Sequence, residues 1–154
     1  MKKFFISVAM TMMLGLGACS HFETSGNGKL DGYWQLTHVD TLETGRTGDV
    51  RDHKIFWSVQ SSLIEMNDLH EDPQYGENAP SVFYHFEILK DTLRLLSEPK
   101  PIINNRRISD RVAERLDVRT YGLSHLGEDL LMLRLTDEKM TLQSERLRMY
   151  FRKY

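Results

Sequence analysis

The stretch Val82-Phe-Tyr-His-Phe-Glu-Ile-Leu-Lys-Asp-Thr-Leu-Arg-Leu95 carries large apolar side chains at every second position on both sides of a Lys90-Asp91 corner. Successive side chains of a β-strand point to opposite faces, so these apolar residues would share one face. The members of this face are Val82, Tyr84, Phe86, Ile88, Leu93 and Leu95. The pattern predicts an antiparallel β-hairpin that buries one face.

The same two-residue rhythm continues on both sides of this hairpin, in short runs bounded by Gly, Asp, Asn or Pro. The runs are Leu30–Val39, Ile55–Gln60, Ser62–Met66, Glu128–Leu135, Met140–Leu142 and Leu147–Phe151. In the fourth run we expect Leu131, Leu133 and Leu135 to point inward, and we expect polar connectors at 41–52 and 67–80. About eight strands in sequential hairpins bury their edges by closing. The predicted fold is therefore all-β, an eight-stranded antiparallel meander barrel.

One segment breaks the rhythm. Ile108, Val112 and Leu116 recur every four residues, and Ser109 is a suitable N-cap, so the pattern predicts one short helix. Four arginines with the same spacing would form a basic stripe on it. They are Arg107, Arg111, Arg115 and Arg119. Such a stripe could meet phospholipid head groups or acidic glycans, but the acidic residues between the arginines favour an ordinary solvated face.

Composition sets limits on function. The chain has 154 residues, 27% of them charged, and a formal net charge of -2. This length fits one domain, and the charge provides no positive field for nucleic acid, so we expect no nucleic-acid partner. The chain has 1 cysteine, which excludes an intramolecular disulfide framework.

The first residues have the layout of a signal peptide: Lys2 and Lys3, an apolar run over 4–16, and small residues before Cys19. Leu16-Gly-Ala-Cys19 resembles the lipobox of bacterial lipoproteins, which implies cleavage before Cys19 and lipidation of that residue. Residues 1–18 are then the signal peptide, 19–29 the lipidated cysteine and a flexible tether, and 30–154 the barrel domain. The lipid anchor implies a membrane partner and a place in the cell envelope, at the outer membrane of a Gram-negative bacterium.

Gly32-Tyr33-Trp34, on the first strand after the signal, is similar to the G-x-W opening of lipocalins. The closing segments Leu135–Leu142 and Phe151–Tyr154 resemble those of small lipocalin-like lipoproteins from Bacteroidetes-type bacteria. The resemblance implies that Trp34 is a structural plug near the closed end of the barrel. It also implies that a last-strand arginine, Arg148 or Arg152, covers this tryptophan.

The motifs of familiar catalytic sites are missing from the sequence, so we expect a protein that is not an enzyme and needs no cofactor. The leading hypothesis is binding of a small apolar or amphipathic molecule in the barrel mouth. The candidate ligand-binding residues are Trp57, Tyr84, Phe86 and Arg148. The alternative is a filled barrel whose loops bind an envelope protein or inhibit an enzyme. His70-Glu71-Asp72 is the best local metal candidate, but solvated loop charge explains it, and no metal site is predicted.

Overall fold

The computed structural model describes residues 25–69, 81–96, 102–103, 106–107, 118–125 and 127–154. Within these ranges the chain forms eleven β-strands and three short 3-10 helices. The strands are β1 (Gly32–Thr41), β2 (Arg46–Asp49), β3 (Ile55–Gln60), β4 (Leu63–Asp68), β5 (Val82–Leu89), β6 (Thr92–Leu95), β7 (Ile102–Ile103), β8 (Arg106–Arg107), β9 (Asp129–Leu135), β10 (Lys139–Gln143) and β11 (Leu147–Lys153). The 3-10 helices are Gly28–Leu30, Arg51–His53 and Val118–Tyr121. None of the helices in this part of the chain has the length and apolar character needed to cross a bilayer.

Eight of the strands close into a ring of antiparallel neighbours, in the order β1-β3-β4-β5-β6-β9-β10-β11, with β11 pairing back onto β1. Apart from this closure, each ring strand pairs with the next one along the chain, which is the up-and-down topology. The predicted all-β, eight-stranded meander barrel is confirmed. Strand β2 pairs with the second half of β1, and β7 and β8 form a small hairpin beside β5.

Two predictions about connecting segments need correction. The segment 41–52 is more than a polar connector, because β1 extends to Thr41 and β2 folds back onto it. Similarly, β4 continues to Asp68, and residues 70–80 lie outside the described part of the chain.

The helix predicted from Ser109 also lies outside the described residues, as do Arg111 and Arg115. Of the other two stripe arginines, Arg107 lies in β8 and Arg119 lies in a 3-10 helix. One helix therefore does not carry all four arginines.

The inward face of β9 agrees with the prediction only in part: Leu135 packs against the core as expected, but the residues before it do not follow the predicted alternation. Leu130 is fully buried, whereas Leu133 is 46% exposed. The register explains this difference: Met132 lies opposite Leu142 and Arg134 lies opposite Thr141, so β9 advances two residues while β10 advances one. Leu133 is the extra residue of a β-bulge, and a bulge shifts the alternation by one position. In the hairpin of β5 and β6, Ile88 is likewise exposed, although the other five residues predicted to share its face are buried.

Trp34 closes one end of the barrel. Its side chain is fully buried, and its indole Nε1 donates a hydrogen bond to the Leu30 carbonyl at 2.7 Å. The 3-10 turn before β1 brings Leu30 into the core. An indole can fill a large apolar volume and still satisfy its one polar atom in this way.

The cation over Trp34 is Lys153, so the prediction of Arg148 or Arg152 is wrong. Lys153 Nζ lies 4.8 Å from the centre of the Trp34 ring and donates to the Lys29 carbonyl at 3.1 Å. Strand alternation explains the choice. Met149 and Phe151 are buried in the core, and Lys153 follows them on the inner face at the strand end, directly opposite Trp34.

The two arginines lie on the outer face of β11, where their guanidinium groups bond to other side chains. Arg148 Nε donates to Gln143 Oε1 at 2.9 Å, and Arg152 Nε donates to Gln35 Oε1 at 2.8 Å.

Leu130→Ala and Leu133→Ala test the position of the bulge. Leu130→Ala should lower the free energy of unfolding by about 2–5 kcal/mol, because it leaves a cavity in the core. Leu133→Ala should change it by no more than about 0.5 kcal/mol, because that side chain is largely in solvent. Urea denaturation of both variants measures the difference. Equal losses would place Leu133 inside and contradict the assigned register.

Candidate functional site

The chain itself covers the second end of the barrel. Residues 118–125, named here the mouth segment, cross this end and pack into it. The Tyr121 carbonyl accepts a hydrogen bond from Trp57 Nε1 at 3.1 Å. A Cβ atom added at Gly122 would lie 2.8 Å from the Met149 sulfur and 3.2 Å from Leu36 Cδ2. The segment thus reaches the inner faces of β1, β3 and β11.

The structure brings three of the four predicted ligand-binding residues together. Trp57, Tyr84 and Phe86 point into the barrel and belong to one core cluster. Trp57 also packs against Phe151, with ring centres 5.0 Å apart. Arg148 is separated from them by the barrel wall, because it lies on the outer face of β11.

Within the described ranges, three buried polar atoms near the mouth segment have no hydrogen-bond partner. They are the Tyr84 hydroxyl, Ser124 Oγ and Glu128 Oε1, named here the interior polar set. The other Glu128 oxygen accepts a hydrogen bond from the Ser124 backbone N–H at 2.9 Å. A buried polar atom without a partner costs about 1–3 kcal/mol, so each of these atoms requires an explanation.

The electrostatics of this set define the chemistry it can offer. Burial raises the pKa of Tyr84, and interactions with Tyr121 and Glu128 add to the effect, so the phenol is neutral over the ordinary pH range. The unpaired Glu128 oxygen can accept a hydrogen bond, while the two hydroxyls can donate or accept. The interior polar set therefore offers both acceptors and donors of hydrogen bonds.

Sequence analysis did not identify Ser124 and Glu128 as site residues. Glu128 was assigned only as the start of an apolar strand, and an acidic residue there is typically solvated. Its 3% exposure arises because the mouth segment folds over it. The local sequence around Glu128 does not predict this contact with the mouth segment.

A concave feature lies on the outside of the barrel. A groove of about 740 Å³, named here the outer groove, runs over the outer faces of β2, β1, β11, β10 and β9. Its charged residues are Asp40, Asp49, Arg51, Arg134, Lys139 and Arg152, and His38 also lines it.

Among the described residues, no group of three or more His, Cys, Asp or Glu side chains could hold a metal ion. The local candidate His70-Glu71-Asp72 lies outside the described ranges.

Comparison with known proteins gives two kinds of match. A family model for a lipocalin-like domain matches residues 12–154. The structure is similar to that of a lipocalin-like protein from Bacteroides uniformis ATCC 8492, with 18% identity, a TM-score of 0.60, and coverage of 82% of this chain and 100% of that one. It is also similar to an uncharacterized protein from Bacteroides eggerthii DSM 20697, with 20% identity, a TM-score of 0.58, and coverage of 80% of this chain and 98% of that one. No curated protein matches the chain.

Gly122→Ala and Gly45→Ala test the packing of the mouth segment. Both glycines have positive φ, so alanine should cost about 1–2 kcal/mol of backbone strain at either position. At Gly45 the new methyl meets open space, whereas at Gly122 it meets the Met149 sulfur. Gly122→Ala should therefore lose a further 1–3 kcal/mol or so in urea denaturation. Similar losses in the two variants would mean that the segment is not packed as described.

Proposed function

We propose, from the premise that this chain belongs to the lipocalin-like domain family, that it is a lipid-anchored cell-envelope protein whose barrel binds a small amphipathic molecule. Lipocalin-like domains are typically ligand-binding and usually noncatalytic. The observation that carries the proposal is the interior polar set, because it places three unpaired polar atoms inside an otherwise apolar core.

The chemistry of the interior defines the ligand class. The ligand's polar head would donate a hydrogen bond to Glu128 Oε1 and exchange bonds with the Tyr84 and Ser124 hydroxyls. Its apolar body would contact the neighbouring aromatic walls, which include Trp57 and Phe86. Apolar walls with a few polar anchors are the usual composition of small-molecule sites. An alcohol or ammonium head on a hydrocarbon or ring body meets these requirements.

Access to this site requires movement of the mouth segment. The interior polar set is buried, and Ser124 itself belongs to the segment. Gly122 and Gly127 flank Ser124 with φ of +87° and +72°, a conformation in which glycine is unstrained. We infer that these two glycines absorb the backbone change when the part of the mouth segment that follows Gly122 moves outward, since small residues often do so at a hinge.

The membrane anchor rests on the amino-terminal sequence. Cys19 is the chain's only cysteine and ends a lipobox-like tetrapeptide after an apolar run. Acyl chains contribute about 0.8 kcal/mol per buried methylene, so attachment of several chains would hold the protein on the membrane. The outer membrane of a Gram-negative bacterium is the proposed location.

One observation favours the second candidate, a filled barrel that binds an envelope protein or inhibits an enzyme. The mouth segment already occupies the barrel end, and its contacts with Trp57 and Met149 are those of core packing. In this alternative the loops around the barrel contact the partner, and the interior has only a structural role.

Tyr84→Phe distinguishes the two candidates. If a ligand binds inside, native mass spectrometry of the purified full chain should detect a small copurifying molecule, and Tyr84→Phe should reduce its occupancy about tenfold. The unliganded variant should be as stable as the parent chain or more stable, because an unpaired buried hydroxyl has been removed. Tyr33→Phe is the control, since this ring stacks on Phe56, 4.7 Å away between centres, on the outer face. An empty spectrum from a folded parent chain would contradict ligand binding.

Cys19→Ser tests the anchor. The variant should move from the membrane fraction to the soluble envelope fraction and lose the mass of the acyl groups, because serine has no thiol to lipidate. Ser20→Ala should leave both measurements unchanged. Retention of Cys19→Ser in the membrane with an unaltered acyl mass would exclude lipidation at this residue.

A further inference from the structure

The outer groove carries a concentration of cations on one side. Strand register sets their arrangement: Lys139 of β10 lies directly opposite Arg152 of β11, and Arg134 of β9 lies opposite Thr141 of β10. The side chains of directly opposed residues start about 5 Å apart, and diagonal neighbours lie within reach of long side chains. Three cationic groups therefore border one small area around the Thr141 hydroxyl.

None of these cations belongs to an ion pair in the described part of the chain. The ion pairs found there are Lys29 with Asp137, Arg51 with Asp49, and Arg94 with Asp129. Arg134, Lys139 and Arg152 are absent from these pairs. Like charges directly opposite each other on neighbouring strands are destabilising, so Lys139 beside Arg152 has a cost in the unliganded protein. An anion bound between the two side chains would attract both of them and offset their mutual repulsion.

The two acidic residues of the groove are already engaged at its other side. Asp40 accepts a hydrogen bond from the Tyr150 hydroxyl at 2.8 Å, and Asp49 pairs with Arg51. Hydrogen bonds from Arg51 lower the pKa of Asp49 to about 2, so it remains paired and ionised near neutral pH. The three cations outside the ion pairs, on β9, β10 and β11, and the engaged acids, on β1 and β2, thus lie on opposite sides of the groove. Arg152 also donates a hydrogen bond from Nε to Gln35 Oε1 at 2.8 Å.

The groove is much larger than a bare ion. Its volume of about 740 Å³ lies within the range of small-molecule sites. Thr37, His38, Thr47 and Thr141, named here the floor, also line the groove. Thr37 Oγ1 donates to the Tyr150 carbonyl at 2.9 Å and Thr47 bonds to the Asp40 carboxylate, which leaves Thr141 and His38 to contact a ligand. Such a surface suits a molecule with many hydroxyl groups.

We propose that the outer groove binds an acidic saccharide. Its sulfate or carboxylate group lies among Arg134, Lys139 and Arg152, and its hydroxyls contact the polar floor. Guanidinium and ammonium groups form charge-assisted hydrogen bonds with such oxyanions, about twice as strong as neutral ones. This site is on the opposite side of the barrel wall from the interior polar set, and it does not depend on ligand binding inside the barrel.

Isothermal titration calorimetry of the full chain in neutral detergent tests the proposal, with a chondroitin sulfate hexasaccharide as the probe. The hexasaccharide should bind, and neutral maltohexaose should not. Inorganic sulfate alone should bind more weakly than the hexasaccharide, because it leaves the floor of the groove empty. Equal affinity for maltohexaose and the sulfated probe would overturn the proposal, as would absence of binding by the sulfated probe or equal affinity for sulfate alone.

Matched variants locate the site. Lys139→Gln and Arg152→Gln should each weaken hexasaccharide binding about tenfold, the usual loss when one hydrogen bond to a charged group is removed. Arg146→Gln removes the same charge from the exposed turn between β10 and β11, away from the groove, and should change affinity less than twofold. Lys139→Gln should not lower the melting temperature of the unliganded chain, because it relieves the opposed charges. An equal loss in Arg146→Gln would indicate general charge attraction and reject the site.

Discussion

The antiparallel pairing of β1 with β11 is the constraint on which the rest of the structure depends. It joins the first and last strands of the ring through a ladder that extends from Trp34 opposite Lys153 to Thr41 opposite Leu147. A sheet closed in this way has no free edge among its ring strands, so its backbone donors and acceptors find partners within the wall. Closure also gives every strand one inner and one outer face. A shift of one residue in the pairing register of a strand would move its inward side chains to the outside and its outward side chains to the inside.

Strand β11 shows what this constraint implies for the two candidate sites. Met149 and Phe151 are buried inside, and Lys153 covers Trp34. The residues that alternate with them, Arg148, Tyr150 and Arg152, face outward. Both faces of this one strand are therefore in use. The inner face packs the core and contacts the mouth segment at Gly122, and the outer face forms part of the groove wall. A substitution at an odd-numbered position of β11 therefore affects the interior, and one at an even-numbered position affects the outer surface.

The sequence was sufficient to predict the barrel because alternation and turn residues are local signals. The hairpin from Val82 to Leu95, with its corner at Lys90, was predicted with the correct bounds for this reason. The bulge at Leu133 could not be predicted from the sequence, because Leu131, Leu133 and Leu135 alternate as in a regular strand. Only the pairing of β9 with β10 shows that Leu133 is an extra residue. The role of Lys153 was missed for a related reason, because strand register across the closure decides which cation reaches Trp34.

The candidate site was less predictable, because it depends on contacts between distant segments. Trp57, Tyr84 and Phe86 were identified from their apolar rhythm, which locates a core but does not distinguish it from a binding site. The distinguishing atoms are those of Ser124 and Glu128, and their burial results from the fold of the mouth segment over the barrel end.

The energy of the unpaired interior atoms connects the mouth segment with the proposed ligand. A buried polar atom without a partner costs about 1–3 kcal/mol, against the 5–15 kcal/mol that stabilises a typical domain. This cost applies only while the mouth is closed and empty, because an open mouth would hydrate Ser124 and Glu128. A ligand with a donor head removes the cost from the closed state alone, so it would shift the segment toward closure. In the proposed function, the buried carboxylate is then both the contact for the ligand and the reason that closure depends on the ligand's presence.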